Sequence, residues 1–221
     1  MQINNLRLWL ITDSSLNRAD AEKIRGYLGN FFWNNSYAHQ HNYAGDLIYR
    51  YPRVQYKVIN GKSLLIGFNE GSEIVEKTFY NIETINLGKS SKVIINKELE
   101  SCYYTFAVIP NQIKYSFLTP WLALNEKNYE KYMMLGDWRQ RKELLEKILV
   151  GNIISVSKSL GYTVDKPIEA GIERFKEVRT TLKGTSMIGF LGTFFVNFEI
   201  PDFWGIGKSV SRGFGTIKKI Y

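Results

Sequence analysis

Between residues 4 and 11, Leu6, Leu8 and Leu10 alternate with Arg7, Trp9 and Ile11. That period of two predicts a strand. From 19 to 32 the period lengthens, and Ile24, Leu28, Phe31 and Phe32 fall on one side of a predicted helix. Gly26 and Gly29 each weaken such a helix by about 1 kcal/mol relative to Ala, so both are expected to admit a neighbouring element at close range. Residues 47–59 are strand-like. Asn60 and Gly61 form a strong hairpin signal, and 63–68 is the returning strand. A short helix is predicted over 72–80, with strands over 82–87 and 92–96. Strand, helix, hairpin, helix, strand is the order of the split βαβ, ferredoxin-like unit.

The second half is less regular. Residues 102–109 and 114–124 read as strands, the latter broken at Pro120, and Asn125 is placed to cap a helix. Residues 137–160 give the strongest helix. Asp137 and Gln140 make a capping-box pair, Leu145, Ile148, Leu149, Ile153, Val156 and Leu160 form a stripe, and Gly161 stops it. Residues 163–164, 168–182 and 186–198 are strand-like. A hinge near 98–101 then divides the chain into residues 1–99 and 100–221, an α+β protein of two tandem ferredoxin-like (βαββαβ-type, RRM-like) halves.

The 221 residues suffice for two such halves, and the net charge of +8 tilts the partner toward a polyanion. Cys102 stands alone, which excludes a disulfide framework and a cysteine-based zinc site. No apolar run approaches 18 residues and no leader pattern opens the chain, so the expectation is a soluble cytoplasmic protein with no membrane partner.

Chemistry concentrates in three places. Near the end, Gly205, Gly207, Gly213 and Gly215 frame Lys208, Ser209 and Arg212, and from Phe203 to Tyr221 there are four Lys or Arg and no Asp or Glu. Such a run suits a sugar-phosphate backbone; it also reads as a glycine-rich turn with solvated charges. It is not a P-loop, because Asp202 stands where the first glycine belongs, and not a dinucleotide fingerprint, because Val210 replaces the third. The only histidines, His39 and His41, follow the first helix beside Tyr37. One residue apart, they can share base and acid roles, or stand as solvated loop residues. No Cys or further His completes a metal set, so no metal or other cofactor is expected. Finally, Tyr49, Tyr51 and Tyr56 interleave with Arg50, Arg53 and Lys57. That pattern fits either base stacking with phosphate contacts or an ordinary half-buried strand. Lys57 is the cation suited to offset developing phosphorane charge.

Several segments together resemble a known family. They are Tyr27-Leu28-Gly29-Asn30-Phe31, the histidine pair, the run from Tyr49 to Lys57, Ile66-Gly67-Phe68-Asn69-Glu70-Gly71, the block from Thr119 to Asn128, and Asn197-Phe198-Glu199-Ile200-Pro201 with the glycine loop. The set is similar to the CRISPR-associated endoribonucleases that process precursor CRISPR RNA, the sixth Cas family of the RAMP superfamily, over nearly the whole chain. The resemblance implies two ferredoxin-like halves and metal-free cleavage of CRISPR repeat RNA to a 2′,3′-cyclic phosphate and a 5′-hydroxyl. It implies His39 and His41 as catalytic residues, Lys57 and Tyr37 as assistants, and the glycine loop with Arg53 as RNA contacts. A non-catalytic RNA-binding subunit is the alternative, because relatives of that kind share the loop. Further partners in view are a CRISPR effector complex and a second copy of the chain.

Overall fold

The computed structural model describes residues 1–35, 37 and 50–221. They divide into two compact units. The N-terminal unit comprises residues 2–105 with 210–213, and the C-terminal unit comprises residue 1, 106–209 and 214–221.

In the N-terminal unit the order is β1 (Gln2–Thr12), α1 (Asp20–Phe31), β2 (Val54–Ile59), β3 (Lys62–Phe68), α2 (Ser72–Asn81), β4 (Thr84–Asn86) and β5 (Ser91–Thr105). The strands form one antiparallel sheet in the order β2-β3-β1-β5-β4. Setting the short β4 aside, this is the ferredoxin-like order. Alternation decides which face is covered. Leu8 and Leu10, Leu65, and Val54, Tyr56 and Val58 pack with Ile24 and Leu28 of α1 and Ile74 and Val75 of α2 in one apolar core. Asn60 and Gly61 both have positive φ, 49° and 77°, as a type I′ turn requires, and they set Ile59 opposite Lys62.

Three expectations change here. The part of the expected β2 that precedes residue 50 lies outside the described residues. β5 runs unbroken through 98–101, where a hinge was expected, because it pairs with almost all of β1, from Gln2 opposite Thr105 to Ile11 opposite Asn96. Its exposed Glu98 and Glu100 hide the strand from a hydrophobicity pattern. Gly26 serves no close approach, since a Cβ there would meet nothing within 4 Å.

The C-terminal unit runs β6 (Ala107–Phe117), α3 (Glu126–Met134), α4 (Trp138–Ser159), β7 (Ala170–Leu182), β8 (Thr185–Glu199) and β9 (Ile217–Lys219). Its sheet order, β7-β8-β6-β9, repeats the ferredoxin-like arrangement. The crossover from β8 to β9 holds the glycine-rich loop where the other half has α2. Asn125 Oδ1 accepts from Asn128 N and caps α3, while Asp137 accepts from Arg139 N and caps α4. Gly161, at φ 72°, ends α4. The strand expected over 114–124 stops at Phe117. Beyond it, next to Pro120, only Trp121 bridges to Phe190. Residues 163–164 are not a strand. The core is aromatic: Phe117 stacks on Trp121 at 5.1 Å, Tyr115 stacks on Phe194 at 5.4 Å, and the Tyr115 hydroxyl accepts from Ile200 N at 2.9 Å. No described helix is long and apolar enough to cross a membrane.

Candidate active site

His39 and His41 lie outside the described residues, as does Tyr49. Tyr37 and Arg50, which flank that stretch, are described and meet each other. The Arg50 guanidinium sits 4.3 Å from the centre of the Tyr37 ring, a favourable cation–π geometry. Tyr37 N donates to Asn35 Oδ1 at 2.9 Å, which ties the tyrosine to the end of α1. The helix therefore delivers the chain to Tyr37, and Arg50 returns it toward β2.

Just before β2, Arg53 pairs with Glu70 at 3.3 Å and lies over the Phe68 ring. Within β2, Val54, Tyr56 and Val58 occupy the helix-covered face, so Gln55 and Lys57 alternate onto the other. Lys57 is fully buried, and its Nζ has no hydrogen-bond partner among the described residues. Burial of the ammonium lowers its pKa to about 7. Tyr56 is a core residue, and burial pushes its phenol up. Strand and burial thus separate two neighbours that look alike in sequence.

The glycine-rich loop is built by backbone packing. In the C-terminal unit Gly205 bridges to Thr216, and Ile206 N donates to Gly215 O at 2.9 Å. Gly215 has φ 61°, and a Cβ on it would lie 1.9 Å from Ile206 O. Lys208 N donates to Leu122 O, which leaves the Lys208 side chain exposed; Gly207 and Ser209 are half-buried. Residues 210–213 belong to the N-terminal unit and lie against β2 and α1. A Cβ on Gly213 would come within 3.1 Å of both Ala21 Cβ and Tyr56 O, so glycine permits this seat. The Gly213 N–H is taken up by Val210 O at 3.2 Å. That bond is part of the loop's own fold.

Arg212 Nε pairs with Glu22 Oε1 of α1 at 3.0 Å. Arg25, one turn further along α1, has its pKa lowered by burial first and by the Arg212 charge second, with Glu22 and Tyr56 opposing. The Arg212 and Arg25 guanidiniums therefore lie close enough to feel each other's charge, with the Glu22 carboxylate near both. Sequence reasoning found Arg212 but missed Glu22 and Arg25, because nothing local connects α1 to position 212. Among the described residues no three His, Cys, Asp or Glu side chains converge.

The family model of the Cas6b N-terminal domain matches residues 1–104, and that of the Cas6b C-terminal domain matches 107–220. An uncharacterized protein of Methanocaldococcus jannaschii is 46% identical over 140 residues, which covers 63% of this chain and 95% of that protein. A crystal structure of Cas6b is 35% identical with a TM-score of 0.93, covering all of both chains. A crystal structure of the CRISPR RNA processing endoribonuclease Cas6b is 34% identical with a TM-score of 0.80, again over all of both chains. A CRISPR-associated Cas6 at 13% identity and a TM-score of 0.59 shares the fold.

Proposed function

The chain belongs to the Cas6b family, and from that premise we propose that it is a metal-independent endoribonuclease that cuts CRISPR repeat RNA. One observation carries the reading: the likeness, over the full length of both chains, to the CRISPR RNA processing endoribonuclease Cas6b at 34% identity.

In this reading the nucleophile is the RNA's own 2′-hydroxyl. The O2′–P bond forms as the P–O5′ bond breaks, giving a 2′,3′-cyclic phosphate and a 5′-hydroxyl. One of His39 and His41 takes the 2′-proton and the other protonates the leaving O5′. The protein's remaining task is to hold O2′, phosphorus and O5′ in line. Tyr37, anchored by Asn35 and Arg50, borders the histidines and assists. Lys57 is buried, so its ammonium acts through its field on the phosphorane charge rather than by contact. Lys208, Ser209 and Arg212 contact phosphates from the loop that Gly205, Gly207, Gly213 and Gly215 shape, and Arg53, just before β2, is a further RNA contact.

The test is incubation of the purified protein with the repeat RNA encoded beside its gene, in EDTA, with both product ends mapped. The expected result is a single cut with a 2′,3′-cyclic phosphate, abolished by one 2′-deoxy nucleotide before the cut. Loss of cleavage in chelator overturns the metal-free mechanism. Tight binding without product makes the chain a non-catalytic RNA-holding relative.

A further inference from the structure

A cleft of about 270 Å³ opens where α1 gives way to the stretch that carries the histidines. It is lined by Phe31 at the end of α1, by Phe32, Trp33, Asn34 and Asn35 just beyond it, and by Ile74 and Lys77 of α2. Ile74 is fully buried and forms an apolar floor. Of the three aromatics in a row, Phe32 packs against the core, whereas Phe31 and Trp33 are 49% and 71% exposed. Two large aromatic side chains left outside the core, beside a pair of carboxamides, suit a flat ligand with hydrogen-bonding edges.

Charge narrows the choice. Lys77, the one charged side chain among the described lining residues, pairs with Glu73 at 2.6 Å, so that lining favours a neutral ring over a phosphate. The Asn35 carboxamide is held in one orientation, because its Oδ1 accepts from Tyr37 N. Through that bond Asn35 is tied to Tyr37, whose ring carries the Arg50 guanidinium, so the cleft is next along the chain to the residues that flank the histidines. Cleavage by a 2′-hydroxyl requires the nucleotides at the cut to leave stacked helical geometry. A base so released is stabilised by an aromatic platform.

We propose that this cleft takes one unstacked nucleobase of the RNA beside the cleavage position, with Trp33 as the stacking platform and the Asn34 and Asn35 carboxamides reading its edge. The proposal rests on the RNA-cleaving reading above. It adds a determinant of where the cut falls that lies apart from the glycine-rich loop.

The experiment is a double-mutant cycle between protein and RNA. Wild-type protein, Trp33→Ala and Trp33→Phe are each tested on repeat RNA carrying a single abasic nucleotide at successive positions around the cut. Binding is read on RNA blocked by one 2′-deoxy nucleotide, and the rate on all-ribose RNA. For wild type, one abasic position is expected to weaken binding by about tenfold, the scale of one base–aromatic stack. Trp33→Ala should weaken binding to intact RNA by the same factor and cause no further loss on that one abasic RNA. Trp33→Phe should retain most of the affinity. Trp33 is largely exposed, so its removal leaves the fold intact. If Trp33→Ala binds and cuts as wild type does, or its loss is equal on every abasic RNA, the base site is wrong while the nuclease reading stands. If wild type never cuts but the cycle still closes at one position, the nuclease reading fails and the base site survives. Failure of the wild-type protein to bind repeat RNA overturns both.

Discussion

Arg212 Nε and Glu22 Oε1 lie 3.0 Å apart and join positions 190 residues apart in the chain. The pair fastens residues 210–213 to α1 within the N-terminal unit, close to Arg25. It gives a cationic stretch of the sequence a partner inside the protein as well as a proposed one in RNA.

These two roles separate by the sign of a mutational effect. Arg212→Ala removes a phosphate partner, so repeat-RNA binding should weaken and its salt slope should drop by about one. Glu22→Gln removes negative charge beside two guanidiniums and should strengthen binding. The pair is partly exposed, so either change should cost no more than about 1 kcal/mol of stability. Fluorescence anisotropy over a salt series reads both. Equal weakening by the two variants means that the cluster only holds the loop in place.

The histidine assignment predicts a split between binding and rate. His39→Ala and His41→Ala should each slow single-turnover cleavage by about 10²–10⁴-fold, the usual worth of one general acid or base, with repeat binding unchanged. Wild type should show a bell-shaped pH–rate profile, and each variant should lose one limb. Tyr37→Phe keeps the ring beneath Arg50 and should change the rate less than either. Wild-type rates in both histidine variants would remove the pair from the mechanism.

The sequence made much of the fold legible wherever one local pattern sufficed. The alternation of Leu6, Leu8 and Leu10, the Asn60–Gly61 turn and the apolar stripe of α4 each predict an element that is present. The pattern misled where pairing overrides hydrophobicity. The polar outer positions of β5 are held by β1, and Pro120 ends a run whose apolar residues enter the core without a strand. At the candidate site, the sequence proposes His39 and His41 from residue type and spacing, and both lie outside the described residues. The Arg212–Glu22–Arg25 cluster was not legible, because it needs the chain brought back onto α1. Nor was the aromatic cleft, which takes residues from two helices, or the depth of Lys57, whose strand reads equally well as a wet face.

Two glycines should respond to alanine in opposite directions. At Gly215 a Cβ would lie 1.9 Å from a backbone oxygen at positive φ, so Gly215→Ala should destabilise by more than about 2 kcal/mol. At Gly26, in the middle of α1, a Cβ meets nothing within 4 Å, so Gly26→Ala should stabilise by about 1 kcal/mol through helix propensity. Urea denaturation of the two variants against wild type checks both signs. A neutral Gly215→Ala would mean that the loop can open without cost.

Lys57 predicts a pH dependence of stability with a definite sign. A solvated lysine has a pKa of 10.5, and burial lowers that of Lys57 to about 7 in the folded protein. Between those values the unfolded chain holds a proton that the folded protein has released, so the Lys57 contribution makes stability rise as pH rises from about 7 toward 10.5. At and below about pH 7 the cost of burying the ammonium is present in full. Lys57→Met removes it, and should therefore be more stable than wild type at pH 6 by a few kcal/mol, with the gap narrowing by pH 9. Denaturation at the two pH values measures the gap; one that stays constant or widens rules out a buried ammonium with a lowered pKa. The same substitution tests the proposed electrostatic role. The ammonium helps the phosphorane only while protonated, so Lys57→Met should slow cleavage more at pH 6 than at pH 9.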